Sequence, residues 1–210
     1  MEKNFPDIKV CGLTCKEDIE IVNQVPIAYA GFVVFYPKSK RNVTIEQAQQ
    51  LIAGLNKTIK SVAVTVSPTT EQVMEIQNAG FDVIQIHGEF AKDVEKCLSI
   101  PVFRAINVKE ESDVKKVFQE VSEKVAYFVF DGNNPGSGKT FDWGFLKRNV
   151  DNNSKIMLAG GLHPGNVREA IEIVRPGIVD VSSGVELDIG IGKDREKVLQ
   201  FVNAVNELDA

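Results

Sequence analysis

The sequence predicts an α/β chain of the (β/α)8 TIM-barrel class, a single domain over residues 1–210. Three observations carry that reading. Eight short apolar runs rich in β-branched residues recur along the chain, and a helix-like stretch follows each of them. The 210 residues suit one domain with a substantial core better than two ordinary ones. Strict alternation of the two kinds of element implies a parallel sheet with right-handed crossovers, and eight units favour closure into a barrel. An open doubly wound sheet is the structural rival. The chain falls short of the ~250 residues typical of such barrels, so its loops and helices must be short throughout.

The strand-like runs are Ile8 to Leu13, Tyr29 to Tyr36, Ile59 to Val66, Phe81 to His87, Val102 to Val108, Ala126 to Asp131, Lys155 to Gly161 and Gly177 to Ser183. The helix-like stretches are Lys16 to Gln24, Thr44 to Leu55, Thr70 to Ala79, Ala91 to Leu98, Glu110 to Glu123, Asp142 to Asn149, Pro164 to Val174 and Asp194 to Glu207. Thr44 and Thr70 read as N-caps, Asp142 as a cap, and Pro164 as a first helical residue.

Closure has a consequence that parity exposes, because residues two apart on a strand share a face. Lys9 faces the same way as Cys11, which places its ammonium inside the barrel, where an unpaired charge is costly. On the eighth run Asp180 shares a face with Ser182. That run neighbours the first only if the sheet closes. The expectation is a Lys9–Asp180 ion pair inside the barrel, with Gln85, His87 and Arg104 extending the polar interior.

Composition narrows the classes of function. Hydrophobic residues make up 43% and charged residues 25%, an ordinary globular mix. The net charge of −5 argues against a nucleic-acid partner. No run is long and apolar enough to span a bilayer, and the first nine residues lack the apolar core of a signal peptide, so the expectation is no membrane and a cytoplasmic location. Cys11, Cys15 and Cys97 have no framework spacing and fit reduced thiols. His87 and His163 are the only imidazoles and lie far in sequence from the cysteine pair, so no metal is expected.

Barrel chemistry collects where strands end. There the chain presents Cys11 before Gly12 and Asp131 before Gly132. Glycines recur on the same rim, in the turn Gly136-Ser137-Gly138, at Gly160-Gly161 after the seventh run and at Ser183-Gly184 after the eighth. The last two positions are where barrels often hold a phosphate with free amides and a short extra helix. Each stretch alone is a tight turn; together they favour a phosphorylated ligand. The segment Gly136-Ser137-Gly138-Lys139-Thr140 imitates the end of a nucleotide P-loop, but Asn133 stands where that motif needs its first glycine. After the second run, the basic loop Lys38-Ser39-Lys40-Arg41 is a solvated turn unless the ligand carries a second acid. In that case Arg41 supplies a bidentate partner.

This ordered set resembles the phosphoribosylanthranilate isomerase family over nearly the whole chain. The resemblance rests on Lys9-Val10-Cys11-Gly12 with Glu17-Asp18, Gly31-Phe32-Val33 through Tyr36-Pro37-Lys38-Ser39 and Arg41, and Gln85-Ile86-His87-Gly88. It continues through Gly136-Ser137-Gly138 with Phe141-Asp142-Trp143, Leu158-Ala159-Gly160-Gly161-Leu162, and Asp180-Val181-Ser182-Ser183-Gly184-Val185-Glu186. Lys40, His163 and Ile189 stand where the family usually has proline, asparagine and proline. The resemblance implies an Amadori rearrangement of N-(5-phosphoribosyl)anthranilate to 1-(2-carboxyphenylamino)-1-deoxyribulose 5-phosphate, in tryptophan biosynthesis, with no cofactor and as a monomer or homodimer. It implies Asp131 as general acid and Cys11 as general base. Arg41, Gly138, Gly160, Gly161, Ser183 and Gly184 become the substrate-binding set.

Each of these residues has a plainer role to set beside that one. A cysteine is most often a small buried hydrophobe, Asp-Gly is a common turn pair, His87 fits a packed rim residue, and Trp143 fits helix packing. A thiol titrates at about 8.5, so a base role invites help from Lys9. Another phosphosugar isomerase or epimerase, or a non-catalytic phosphate binder, fits parts of the pattern. The pairing of Cys11 with Asp131 separates the isomerase from a binder, and the scarcity of histidines separates it from a metal-dependent epimerase.

Overall fold

Alternation on the strands decides the architecture, since each strand must bury one face in the barrel and the other under helices. The structure, a computed structural model, describes residues 5–107, 122–132, 143–149 and 155–207. Eight parallel strands close in sequence order: β1 (Asp7–Cys11), β2 (Tyr29–Val33), β3 (Lys60–Val66), β4 (Val83–His87), β5 (Val102–Asn107), β6 (Val125–Asp131), β7 (Ile156–Leu158) and β8 (Ile178–Val181). Among the described residues the helices are α1 (Lys16–Val22), α2 (Ile45–Ile52), α3 (Thr70–Asn78), α4 (Lys92–Cys97), α5 (Trp143–Asn149), α6 (Val167–Val174) and α7 (Arg195–Asn206). The expected helix at Glu110 to Glu123 and the expected cap Asp142 lie outside the described residues, except that 122 and 123 lead into β6. The closed sheet excludes the doubly wound rival.

Two apolar clusters result. The larger lies between sheet and helices and includes Val10, Phe32, Ile84, Ile86, Phe128, Phe130, Val179 and Phe201. The smaller fills the barrel with Val62, Val64, Val83, Phe103, Ala105, Val129, Met157 and Ile178, with Cys11 at its upper end. At the opposite end Tyr29, Phe103 and Tyr127 meet edge to face, with ring centroids 5.3 and 5.5 Å apart. They plug the barrel floor with aromatic volume.

The seam joins β1 to β8, with Lys9 directly opposite Asp180. The Lys9 Nζ donates to Asp180 Oδ2 at 2.8 Å, and the lysine side chain is wholly buried. The expected interior ion pair is therefore present. Burial alone pulls Lys9 down, but Asp180 and Cys11 outweigh it and hold the ammonium above its ordinary value.

Local details depart from the sequence reading in four places. Thr44 caps α2 in a capping box with Gln47 as expected, but α3 is capped by Thr69, not Thr70. From Thr69 the reciprocal partner at the third helical position is Gln72, whereas from Thr70 it is the buried Val73, which has no polar group to return. Pro164 lies in a turn, and α6 begins at Val167 after Asn166. The Asn166 side chain accepts from His163 N at 2.8 Å and donates to Gly161 O, so it organises the turn before the helix. β2 stops at Val33, short of Tyr36, because Phe35 takes a positive φ of 57° and turns the chain into the rim loop. Arg104 points away from the interior, since Phe103 and Ala105 occupy the inward positions of β5; its guanidinium donates to Ile86 O at 2.9 Å.

Removing Asp180 alone should strand a buried ammonium. Asp180→Ala is expected to cost about 3–5 kcal/mol in urea unfolding, and the Lys9→Met/Asp180→Leu double variant markedly less, because the pair's desolvation cost is removed with it.

Candidate active site

The C-terminal ends of the strands open into a shared cavity of about 160 Å³. Cys11 from β1 and Asp131 from β6 both line it, with β7 and β8 between them around the wall. Arg41, Gly160, Gly161 and Ser183 also line it, as do His87 and Asp180. Gly138 lies outside the described residues, with the rest of the glycine turn after Asp131. Gly184 is not part of the lining. A Cβ there would collide with the backbone of Leu162 and His163, so this glycine lets the loops after β7 and β8 touch.

Space at the reacting groups comes from glycines on the next strand. A Cβ on Gly31, the register partner of Cys11, would lie 2.8 Å from the thiol sulfur. A Cβ on Gly160, which has a φ of +81°, would lie 2.7 Å from Asp131 Oδ1 and 2.6 Å from Gly132 N. Both positions exclude any side chain, so the thiol and the carboxyl keep room in a packed wall.

The electrostatics separate the two candidates. Burial and, after it, the nearby Asp180 charge raise Asp131 to about 6 against the opposing effects of the Gly132 amide and Lys9. Among the described residues its buried Oδ1 has no hydrogen-bond partner. A carboxyl so placed holds its proton to near-neutral pH and has it to give. Burial also pushes the Cys11 thiol up, and Lys9 offsets only part of that, with Asp180 opposing. Lys9 gives Cys11 part of the help expected of it, but burial outweighs that help, and the thiol of the free protein keeps its proton at neutral pH.

His87 contacts Gln85 at 2.9 Å between side-chain nitrogens. Burial, with Lys9 and Arg104 adding to it, lowers the imidazole to about 4, so it is neutral and a packed rim residue. Trp143 is buried against the helical layer. Cys15 and Cys97 are only half-buried free thiols, more accessible than the small buried hydrophobes expected. Among the described residues no group of three or more His, Cys, Asp or Glu side chains is arranged to hold a metal ion.

Sequence reasoning missed Lys193 and gave Asp18 and Glu186 no task. Lys193, wholly buried, donates to Ser182 O at 3.2 Å, and its backbone N–H donates to Asp18 Oδ1 at 2.6 Å. Asp18 also accepts from Thr14 N at 2.7 Å, which ties the loop after β1 to the loop after β8. Glu186 pairs with Arg41, Lys40 and Lys193. No sequence pattern marks a buried lysine between Gly192 and Asp194. The signal for Glu186 was the uncompensated charge of the Lys38 to Arg41 loop.

A thiol, a carboxyl raised toward neutral pH and an arginine around one cavity, above glycine loops on the seventh and eighth strands, define a (β/α)8-barrel enzyme that works at its C-terminal rim. Residues 8–204 match the family model described as N-(5'phosphoribosyl)anthranilate (PRA) isomerase. The chain belongs to that family. It is 44% identical over 204 residues to the N-(5'-phosphoribosyl)anthranilate isomerase of Thermoanaerobacter pseudethanolicus, covering 94% of this chain and 97% of the relative. It is 40% identical over 202 residues to that of Streptococcus gordonii, covering 95% and 97%. Among solved structures, the phosphoribosyl anthranilate isomerase of Thermotoga maritima superposes with a TM-score of 0.85 at 32% identity, covering 97% of this chain and all of the other. A phosphoribosyl anthranilate isomerase in complex with reduced 1-(o-carboxyphenylamino)-1-deoxyribulose 5-phosphate superposes at 0.82 with 30% identity, covering 97% and 100%.

The raised Asp131 carries a signed pH prediction. Between its unfolded value near 3.8 and about 6 the folded chain holds a proton that the unfolded chain releases, so this group's contribution to stability falls as pH rises through that window. Relative to Asp131→Asn, the wild-type protein should lose on the order of 3 kcal/mol between pH 3.5 and pH 7, read from denaturant unfolding at each pH. A difference independent of pH contradicts it.

Proposed function

We propose that the chain catalyses the Amadori rearrangement of N-(5-phosphoribosyl)anthranilate, with Asp131 as general acid and Cys11 as general base. The observation that carries the reading is the opening of both groups on one cavity with Asp131 held protonated to about 6. Asp131 delivers its proton to the furanose ring oxygen. The C1–O bond breaks, and the electron pair on nitrogen forms an iminium. That cation acidifies the C2 hydrogen, which the Cys11 thiolate removes, and the C–H electrons neutralise the iminium to an enolamine. The enolamine then tautomerises to the ketone. Proton transfers of this type contribute ~10²- to 10⁴-fold each.

The productive form carries a proton on Asp131 and none on Cys11. Since Asp131 titrates below the thiol, this is the minor distribution of protons at neutral pH. The Arg41 guanidinium suits the anthranilate carboxylate. Gly160, Gly161 and the Ser183–Val185 turn suit the phosphate, whose charge is met by backbone amides. Gly138 joins them in this reading from the loop after Asp131. Small phosphorylated substrate, cytoplasmic work and a monomer or homodimer complete it. Three free cysteines support a reducing compartment, and among the described residues no helix is long and apolar enough to cross a membrane. A dimeric phosphoribosylanthranilate isomerase from Thermotoga maritima is among the structural neighbours.

Freshly made phosphoribosylanthranilate mixed with the purified protein should lose its anthranilate-type fluorescence at a rate proportional to protein. Cys11→Ser and Asp131→Asn should each lower kcat by ~10²- to 10⁴-fold with KM changed little. The wild-type kcat/KM should fall about tenfold per pH unit below about 6, where Asp131 is already protonated and thiolate keeps disappearing. Full turnover by both variants refutes the assignment.

A further inference from the structure

Arg41 reaches the cavity from the loop after β2, whose backbone is held by Tyr36 N donating to Asn42 Oδ1 at 2.7 Å and Asn42 N donating to Ser39 O at 3.1 Å. The Arg41 backbone N–H donates to Ser39 Oγ at 3.2 Å, and its side chain crosses over Gly12, where a Cβ would lie 2.5 Å from Arg41 Cδ. The one side-chain bond that fixes the guanidinium runs from Nε to Glu186 Oε1. Among the described residues neither terminal nitrogen of Arg41 has a hydrogen-bond partner. A guanidinium held at Nε keeps its two terminal N–H groups side by side for a planar carboxylate.

Glu186 is the fixed member of this pair. It opens a hairpin in which it lies opposite Lys193, with Leu187 N donating to Gly192 O at 3.2 Å and Asp194 N to Val185 O at 2.9 Å. Lys197 Nζ binds its carbonyl oxygen at 3.0 Å. The carboxylate itself takes Lys40 at 2.9 Å and Lys193 at 3.4 Å besides Arg41. Despite burial, these cations hold it at about 2, so it is charged at every working pH. Glu186 does not line the cavity, while Arg41 does. One negative charge therefore stands behind three positive ones, leaving an excess of cation directed at the ligand.

We infer that Glu186 is a positioning residue: it clamps the Nε side of Arg41 so that the terminal nitrogens present a preset fork to the ligand's aryl carboxylate, and it thereby sets selectivity for a carboxylated aryl group. This rests on the functional reading above, and the two can be separated. The probes are reduced 1-(o-carboxyphenylamino)-1-deoxyribulose 5-phosphate and its phenylamino counterpart lacking the carboxyl, titrated calorimetrically.

Wild-type protein should prefer the carboxylated probe by about tenfold or more, the scale of a hydrogen bond to a charged group. Glu186→Ala should weaken that probe about tenfold while changing the other by less than about twofold, so the preference collapses. Glu186→Gln keeps an acceptor without the charge and should fall between; it is nearly isosteric and carries the same comparison if the alanine variant fails to fold. In an Arg41→Ala background, Glu186→Ala should add nothing, since the glutamate acts through the arginine. Equal weakening of both probes, a retained preference, or additive effects in the double variant overturns the inference alone. Wild-type protein that binds neither probe overturns the functional reading and this inference with it.

Discussion

An ammonium with no water around it must find an anion, and Lys9 finds one only because the sheet closes. Its partner Asp180 sits 171 residues away in sequence and becomes a neighbour only at the seam between the first and last strands. The pair therefore marks register as well as closure. A slip of one residue along β1 would turn Lys9 outward and Val10 inward, breaking the ion pair and the alternation of both apolar clusters together. A buried pair is weak support for stability in itself, but a broken one is costly, so its presence discriminates strongly against near-native closures.

The same seam sets the electrostatics of the rim. Asp180 has Lys9 as its ion partner, though burial still raises it, while Asp131 stands near it without an ion partner among the described residues and is raised to about 6. Of the two buried carboxyl groups, only Asp180 has the lysine as a direct partner. The thiol is left without a dedicated cation, and burial raises it. In the proposed mechanism the acid titrates below the base, so it works through a minor distribution of protons. The low-dielectric barrel mouth that raises Asp131 also makes the Cys11 thiolate scarce.

Packing supplies the remaining constraint. Each functional side chain lies beside a glycine that makes room for it: Gly31 beside Cys11, Gly160 beside Asp131 and Gly12 beneath Arg41. Interiors at this density leave no slack for a methyl group in those places. The rim is further stitched by acidic residues on loops, Asp18 holding the backbone of Thr14 and Lys193 and Glu186 gathering three cations. Chemistry at the strand ends is thus supported by loop contacts that take no part in it.

The sequence by itself determined the eightfold alternation, the parity that sends Lys9, Cys11 and Asp180 to one interior, the strand-end place of Asp131, and the glycine turns on the seventh and eighth strands. These follow from a period of two along strands and from local turn chemistry, both of which are written in neighbouring residues. Only the tertiary structure decided that Thr69 rather than Thr70 caps its helix, that Pro164 stays in a turn, that Arg104 faces outward and that burial outweighs Lys9 at the thiol. It also decided that Glu186 and Lys193 stand behind Arg41. In each case the deciding partner lies across space, as a reciprocal side chain, a competing inward residue or a charge from another loop. Desolvation belongs to the closed barrel, since no stretch of chain carries it alone.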